Sequence, residues 1–363
     1  MLAFPQGAGR VLEDSPAGGP VYPRPKREEL RPRRLCVDLL FEMPEHERNA
    51  NAASLDLVDV ACCICGVDES EPIAVGEDFE YRTSPDTFQA VRCQRCGLVY
   101  LDPRPAVSEF DRIYPASYHA FDFSEERFGL VYQVRRRLEA RRLLSWCRGL
   151  PEDARILDVG CGDGFHLRLL RDFGKPGWTL EGIDADRKAI EAAARSKLSV
   201  HHGTVQELER TGRTYHLAIL IQTIEHVDDP PAVLRSVRNL LRPGGRLVVV
   251  TDNVETLDFR LFGGRHWGGY HFPRHWNLFS RKTLAALAQE VGLEVEEMAT
   301  ILSPVNWVYS VRNTLVDYKA PRWMVNRFSL ASPGSLSVFT AFDALFQALG
   351  RGALLRAYLR RPQ

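Results

Sequence analysis

The sequence predicts an α/β protein: a doubly wound, mostly parallel sheet preceded by a small cysteine-rich ribbon. Two observations carry this. From Arg155 onward, buried-type strands alternate with helices, the order that builds a parallel sheet covered on both faces. Upstream, "CCICG" and "CQRCG" repeat a Cys-x-x-Cys-Gly pattern, a turn that brings two thiolates onto one metal ion. With 363 residues, 45% of them hydrophobic, the chain can bury one medium domain with additions, or two domains.

Lys plus Arg and Asp plus Glu each total 47, so no global field recruits nucleic acid or an anionic membrane. No uncharged apolar run reaches the roughly 18 residues of a membrane span, and the N-terminus lacks the apolar core and small-residue cleavage site of a secretory signal. A soluble, cytoplasmic protein is expected. In that setting the eight cysteines read as thiols or metal ligands more than as a disulfide framework.

Residues 1–57 are rich in Pro, Gly, Arg and Glu without a sustained apolar period, which predicts a disordered tail carrying one short helix at "LCVDLLFEM". Its basic run "PRPKREELRPRR" reads as solvated. Residues 58–105 form the ribbon, with Cys62, Cys65, Cys93 and Cys96 as expected ligands of one zinc. A closed four-cysteine site leaves no open position for chemistry, so this zinc is structural. Cys63 sits inside the first knuckle and has the wrong spacing to pair with Cys65. A redox pair is disfavoured because neither knuckle has a thioredoxin-like strand-helix context.

Residues 106–150 are expected to form a helical linker or cap containing Tyr114 and Tyr118. Asp122 and Glu125 have capping-box spacing, and Phe128, Val131, Val134, Leu138 and Leu144 recur at roughly helical intervals. This predicts one long amphipathic helix with a solvated basic face.

In the domain from residue 151 to 363, "RILDVG", "WTLEGID", "YHLAILIQ" and "RLVVVTD" read as strands. "FHLRLLRDF", "DRKAIEAAARS" and "PPAVLRSVRNLL" read as the helices between them. Ligands of such sheets bind at the carboxyl ends of the strands. There "DVGCGDG" sets Gly160, Gly162 and Gly164 at alternate positions, with Phe165 where a dinucleotide fingerprint needs its last glycine. The loop lacks the Lys-Ser/Thr of a phosphate cradle, and its acidic residues Asp158 and Asp163 repel phosphate and suit an ammonium group. Asp184, ending the second strand, is placed to accept from two ribose hydroxyls. A nucleoside with a cationic tail and no phosphate describes S-adenosylmethionine.

The segments "ILDVGCGDGFHLRLL", "GIDADRKAI", "IQTIEHVDDPPAVLRSVRNLLRPGGRLVVVTDN" and "PRHWNLFS" together resemble the class I S-adenosylmethionine-dependent methyltransferases. The branch is that of the ubiquinone and sugar C- and O-methyltransferases, and the resemblance covers residues 58–363, since the preceding zinc module recurs there. It implies a Rossmann-like sheet of seven strands, the last antiparallel. It implies that Asp158, Gly160, Gly162 and Gly164 hold the methionine end of the cofactor and that Asp184 with Ala185 holds the ribose. Thr204 and Val205 would flank the adenine, and Gln222 would lie beneath the cofactor. His216 replaces a frequent Asp before the fourth strand, and Thr204 replaces one near the adenine. The implied reaction is methyl transfer to O or C of a small molecule: a sugar nucleotide, a natural-product intermediate or a quinone-like phenol. A different class stays open, a binding protein whose ribbon recognises a partner on a degenerate fold. An RNA methyltransferase is disfavoured by the zero net charge and the missing "NPPY"-type motif.

"RHWGGYHFPRHWNLFS", residues 265–280, follows the fifth strand and so should wall the acceptor site. Its three histidines have no intervening Asp or Glu to support a metal. Displacement at a sulfonium needs positioning, plus a base when the nucleophile is a hydroxyl or carbon acid. The resemblance makes His275 the first candidate base and His226 the second, with Glu225 as its orienting partner or as half of a divalent-metal site. Glu225 and His226 read equally as a helix-start acid and a packed histidine. Tyr118 and His271 would line the acceptor pocket. "LEVEEMATIL" and "GALLRAYLRRP" supply the sixth and seventh strands. The insertion between them, residues 302–350, is expected to be a helical lid or to touch a membrane surface weakly.

Overall fold

The computed structural model describes the backbone of residues 53–115 and 125–363 and the side chains of 53–115 and 132–363. The short tail helix "LCVDLLFEM", Tyr118, Asp122, and the side chains of Phe128 and Val131 lie outside the described residues.

The ribbon contains β1 (Leu57–Val58), β2 (Ser70–Glu77), β3 (Thr87–Cys93), β4 (Val99–Leu101) and β5 (Arg104–Pro105). It begins earlier than its cysteines imply. β1 pairs antiparallel with β5, and Leu55 is buried with its amide donating to Asp86 at 2.8 Å. The boundary expected after residue 57 therefore falls before residue 55. β2, β3 and β4 form an antiparallel ladder whose fourth member comes from the distant segment Asn277–Leu278, in register with Tyr100 and Val99.

After α1 (Phe110–Ile113) comes α2 (Glu125–Trp146). Its packed face differs from the apolar repeat read in the sequence: Val134 and Leu138 are 49% and 55% exposed, whereas Ala140, Leu143 and Trp146 are buried with Leu169 and Leu170. At 100° per residue the two sets lie on opposite sides of the helix. The small Ala140 allows the close approach, and the outward valine and leucine remain in solvent.

The main domain runs β6 (Arg155–Val159), α3 (Phe165–Phe173), β7 (Thr179–Asp184), α4 (Arg187–Arg195), β8 (Val200–His202), α5 (Val205–Glu209), β9 (Tyr215–Ile221), α6 (Pro230–Leu240) and β10 (Leu241–Asp252). It continues with α7 (Leu257–Phe262), β11 (Asn277–Leu278), α8 (Arg281–Glu290), β12 (Glu294–Ile301), α9 (Val305–Asp317), α10 (Arg322–Val325), α11 (Pro333–Ala348) and β13 (Leu354–Arg360). The seven-stranded order is β12-β13-β10-β9-β6-β7-β8, parallel from β10 to β8, with β13 antiparallel to both its neighbours. This is the expected doubly wound sheet. Its order reverses between β6 and β9, which puts the ligand crevice at their carboxyl ends.

Alternation along β9 builds both faces: Leu217 and Ile219 pack with Trp146 and Leu170, while Ala218 and Leu220 pack with Leu234 and Leu284. Helix starts are fixed locally, Asp186 capping α4, Asp229 capping α6 ahead of Pro230, and Ser280 capping α8. The ribbon is not a separable module. Cys62, Leu98 and Tyr100 share one core with Ile224 and Phe279, and all described residues fall in one compact unit, Arg48–Gln363.

Candidate active site

At the end of β6, Gly160, Gly162 and Gly164 adopt φ of 73°, 55° and 79°, a left-handed conformation that glycine takes without a Cβ penalty. A Cβ on Gly160 would collide with the Thr223 side chain, whereas one on Gly162 would meet nothing within 4 Å among the described residues. The loop is thus pressed against the 222–226 turn on one side and open on the other. Asp184 Oδ2 accepts the Gly162 amide at 2.9 Å and Oδ1 accepts that of Asp186 at 2.8 Å. Each oxygen keeps lone-pair capacity for a further donor. Asp158 is buried, its Oδ2 has no hydrogen-bond partner among the described residues and lies 3.8 Å from His166 Nδ1, and burial, reinforced by Asp184 and Asp163, pushes its carboxyl up to about 8. Burial likewise raises Asp184. Buried, mutually repelling carboxyls beside an open glycine turn fit a ligand with a cationic end and hydroxyls.

The other expected cofactor residues are placed as follows. The Ala185 carbonyl lies 3.1 Å from His202 Nε2. Thr204 forms a capping box with Glu207 at the start of α5, and Val205 is buried in the core. The Thr204 hydroxyl is therefore occupied by the helix start. Gln222, at φ 50°, is tied to the neighbouring carboxylates: its Nε2 donates to Glu225 at 2.8 Å and to Asp252 at 3.2 Å. His216 Nδ1 accepts the Arg155 amide at 3.0 Å inside β9.

The 222–226 turn links this loop to a histidine cluster. Thr223 Oγ1 donates to the Val159 carbonyl at 3.2 Å, and two residues on, Glu225 is fully buried, accepting from Gln222 and from Thr251 Oγ1 at 2.8 Å. The Glu225 carbonyl accepts the amides of Trp276 and Asn277 at 2.7 and 3.1 Å, docking the 265–280 segment onto the sheet edge. The His226 and His275 rings meet edge to face, 4.6 Å between centroids, and His271 lies 5.0 Å from His275.

His275 Nδ1 is 2.8 Å from the Gly269 carbonyl and 3.4 Å from Asp252 Oδ2. A carbonyl only accepts, so Nδ1 carries the hydrogen and Nε2 the lone pair. Asp252 is held in turn by Asn306 of α9, whose Nδ2 donates to Oδ1 at 2.6 Å. His226 Nδ1 lies 2.8 Å from the Tyr114 hydroxyl and 3.2 Å from the Arg274 carbonyl. Burial, then the charges of His275 and His271, push His226 well below its ordinary value. Burial also raises both Glu225 and Asp252, the Asp252 charge adding to the first and the Asp258 charge to the second, while hydrogen bonds from Asn306 and Gln222 partly offset the rise at Asp252. His271 Nδ1 pairs with Glu80 at 2.8 Å, and buried Arg274 forks onto Asp78 at 2.8 and 3.1 Å.

The structure thus brings together His275, His226, His271 and Glu225. Sequence reading missed Asp252, Asn306, Glu80 and the Asp78–Arg274 pair. Asp252 ends β10 at the carboxyl edge, a position that could have drawn notice. Carboxylates do support the three histidines of the 265–280 segment, but they come from other elements: Asp317 lies 2.7 Å from His266, Glu80 pairs with His271 and Asp252 faces His275. Glu225, His226 and His275 offer ligand atoms all within 4.8 Å of one another.

In the ribbon, Cys62, Cys65, Cys93 and Cys96 also offer sulfurs all within 4.8 Å of one another. The two knuckles are alike: the amides of Gly66 and Gly97 donate to the carbonyls of Cys62 and Cys93 at 2.8 and 3.0 Å. The backbone amides of Ile64 and Cys65 face Cys62, and those of Arg95 and Cys96 face Cys93. Four converging sulfurs served by backbone donors fit a tetrahedral thiophilic ion. Cys63 stays outside the cluster, its sulfur donating to Asn277 Oδ1 at 3.4 Å.

A sequence profile of the methyltransferase-domain family matches residues 130–298. The ubiquinone biosynthesis O-methyltransferase of Cereibacter sphaeroides is 30% identical over 178 residues, covering 45% of this chain and 71% of that protein. The enzyme of the same description from Bordetella avium is 30% identical over 195 residues, covering 48% and 78%. A solved S-adenosylmethionine-dependent methyltransferase from Archaeoglobus fulgidus aligns at 18% identity over 66% of this chain and 97% of its own, with a TM-score of 0.41. The chain belongs to the class I S-adenosylmethionine-dependent methyltransferases. It is an enzyme that transfers a methyl group from that cofactor.

Proposed function

We propose that this methyltransferase alkylates a hydroxyl oxygen of a small, phenol-like acceptor, with His275 as general base. One observation carries the reading: the His275 tautomer is fixed by the Gly269 carbonyl, with Asp252 3.4 Å away to stabilise the imidazolium. The description of the relatives as ubiquinone biosynthesis O-methyltransferases supports oxygen over carbon and a phenol over a sugar nucleotide. When bound, S-adenosylmethionine supplies an electrophilic methyl group. Asp158 holds the ammonium end against the open side of the glycine loop, Asp184 accepts from the ribose hydroxyls beside Ala185, and Thr204 and Val205 border the adenine through the start of α5. His275 Nε2 takes the acceptor proton. His226, held strongly neutral, is the poorer base and serves as a wall with His271 and Tyr114.

A second use of the cluster rests on the convergence of Glu225, His226 and His275, which suits a divalent cation. Chelation followed by activity measurement separates the two readings, since a base needs no metal. The four ribbon cysteines hold a structural zinc in this reading. Among the described residues no helix is long and apolar enough to cross a membrane, and a cytoplasmic site of action is retained as part of the proposal. A degenerate binding fold is not favoured: the chain retains Asp158, the glycine turn and Asp184, and the Gly162 amide donates to Asp184. Incubating the protein with methyl-labelled cofactor and panels of catechols, hydroquinones and sugar nucleotides tests the acceptor class. Labelling of sugar nucleotides alone would contradict it.

A further inference from the structure

The helical insertion carries an apolar face that stays exposed among the described residues. Along α11, Val338, Phe342, Leu345 and Leu349 are 54%, 51%, 63% and 68% exposed. Their spacing of four, three and four residues makes one continuous stripe, and the exposed positions between them are Ala341, Ala344 and Ala348. The helix is firmly seated by its other side. Phe339 and Phe346 stack on Trp307 of α9 with centroids 5.9 and 6.3 Å apart, and buried Asp343 accepts the amides of Ser303 and Ala353 at 2.8 and 3.3 Å. Such a stripe on a packed helix marks a contact surface.

The surrounding charge identifies the partner. Between residues 318 and 351 the exposed charged side chains are Lys319, Arg322, Arg327 and Arg351, all cationic, while the one acid, Asp343, is buried. Trp323 and Tyr318 are exposed at 62% and 73%, and Arg327 lies over the Trp323 ring at 5.3 Å. An apolar helix face within a segment whose exposed charges are all basic, with exposed amphipathic aromatics beside them in sequence, complements an anionic bilayer: acyl chains take the stripe, headgroups the cations. The whole chain has zero net charge, so any such attraction has to be local, as the exposed cations of this insertion are.

We propose that the outer face of α11 docks on anionic lipid bilayers. α9 connects that face to the site, since Trp307 packs under α11 while its neighbour Asn306 holds Asp252. An apolar acceptor carried in the bilayer would then meet the enzyme at the insertion.

Co-sedimentation of the full chain with vesicles of mixed phosphatidylglycerol and phosphatidylcholine, against phosphatidylcholine alone, tests the proposal. Binding is expected only with the anionic lipid and should fall with salt. The triple variant Phe342→Ser, Leu345→Ser, Leu349→Ser should lose it, and Arg322→Glu with Arg327→Glu should weaken it roughly tenfold or more. Cofactor binding and circular dichroism establish that the variants are folded. Absence of binding by wild type, or binding unaffected by the triple change, overturns the proposal. So does a wild-type dimer in sedimentation velocity that the triple variant splits without any vesicle binding, which would give the face to a second copy.

Discussion

Asp252 Oδ2 lies 3.4 Å from His275 Nδ1. Because the Gly269 carbonyl already fixes the ring's tautomer at 2.8 Å, the carboxylate's part in the proposed mechanism is electrostatic: it would favour the imidazolium formed when His275 takes the acceptor proton. Asp252→Asn should therefore lower turnover roughly ten- to hundredfold, about 1.4–2.8 kcal/mol, and leave cofactor affinity unchanged. Steady-state rates with calorimetric cofactor binding check it. A variant that keeps full turnover would remove Asp252 from the reaction.

Cofactor affinity should depend on pH through Asp158. Burial, with Asp184 and Asp163, raises its carboxyl to about 8 in the free protein, and a cationic ligand favours the ionised form. Below about pH 8 binding must expel a proton, so affinity weakens as pH falls, by at most about tenfold per unit, and levels off above. Calorimetry in buffers of different ionisation enthalpy reads the released proton directly. Asp158→Asn should bind weakly and without that dependence.

At the ribose end, Asp184→Ala removes the acceptor and also frees the Gly162 and Asp186 amides. A charged hydrogen bond is worth about 1.5–3 kcal/mol, so the dissociation constant should rise at least tenfold. Unchanged affinity would place the cofactor elsewhere.

Metal analysis should find one zinc per chain, lost on Cys93→Ser and retained on Cys63→Ser. Because β11 pairs with β4 and directly follows His275 and Trp276, emptying the ribbon should lower both the melting temperature and the rate of methyl transfer. Zinc retained by Cys93→Ser would refute the ligand set.

Glu225 is raised by burial and then by the Asp252 charge. A carboxyl whose folded pKa exceeds its unfolded value costs nothing where both states are protonated and progressively destabilises the fold as pH rises above the unfolded value. Glu225→Gln should thus match wild type in acid and exceed it by about 1 kcal/mol or more near neutrality. Thermal melts across pH decide this. A variant less stable than wild type at neutral pH would show that the charge is compensated.

Strand alternation and the glycine loop were legible because both are local: β6 to β10 obey a hydrophobic period, and Gly160 to Gly164 sit next to their strand. The cysteine knuckles were legible for the same reason. What the sequence hid is pairing at a distance. Arg274 reaches Asp78, Asn306 reaches Asp252, and His271 reaches Glu80, contacts that exist only once the ribbon, the 265–280 segment and α9 have been packed together. The reversed face of α2 had a similar cause, since the partner surface on α3, not the helix's own apolar repeat, decides which side is buried.

The most direct test of the account is single-turnover methyl transfer by wild type and His275→Asn, with an acceptor from the labelled-cofactor screen and enzyme saturated with cofactor. The account predicts a rate lowered by roughly 10²–10⁴, the contribution of a positioned base, with cofactor affinity and melting temperature retained. A folded His275→Asn that transfers methyl at nearly the wild-type rate would contradict it.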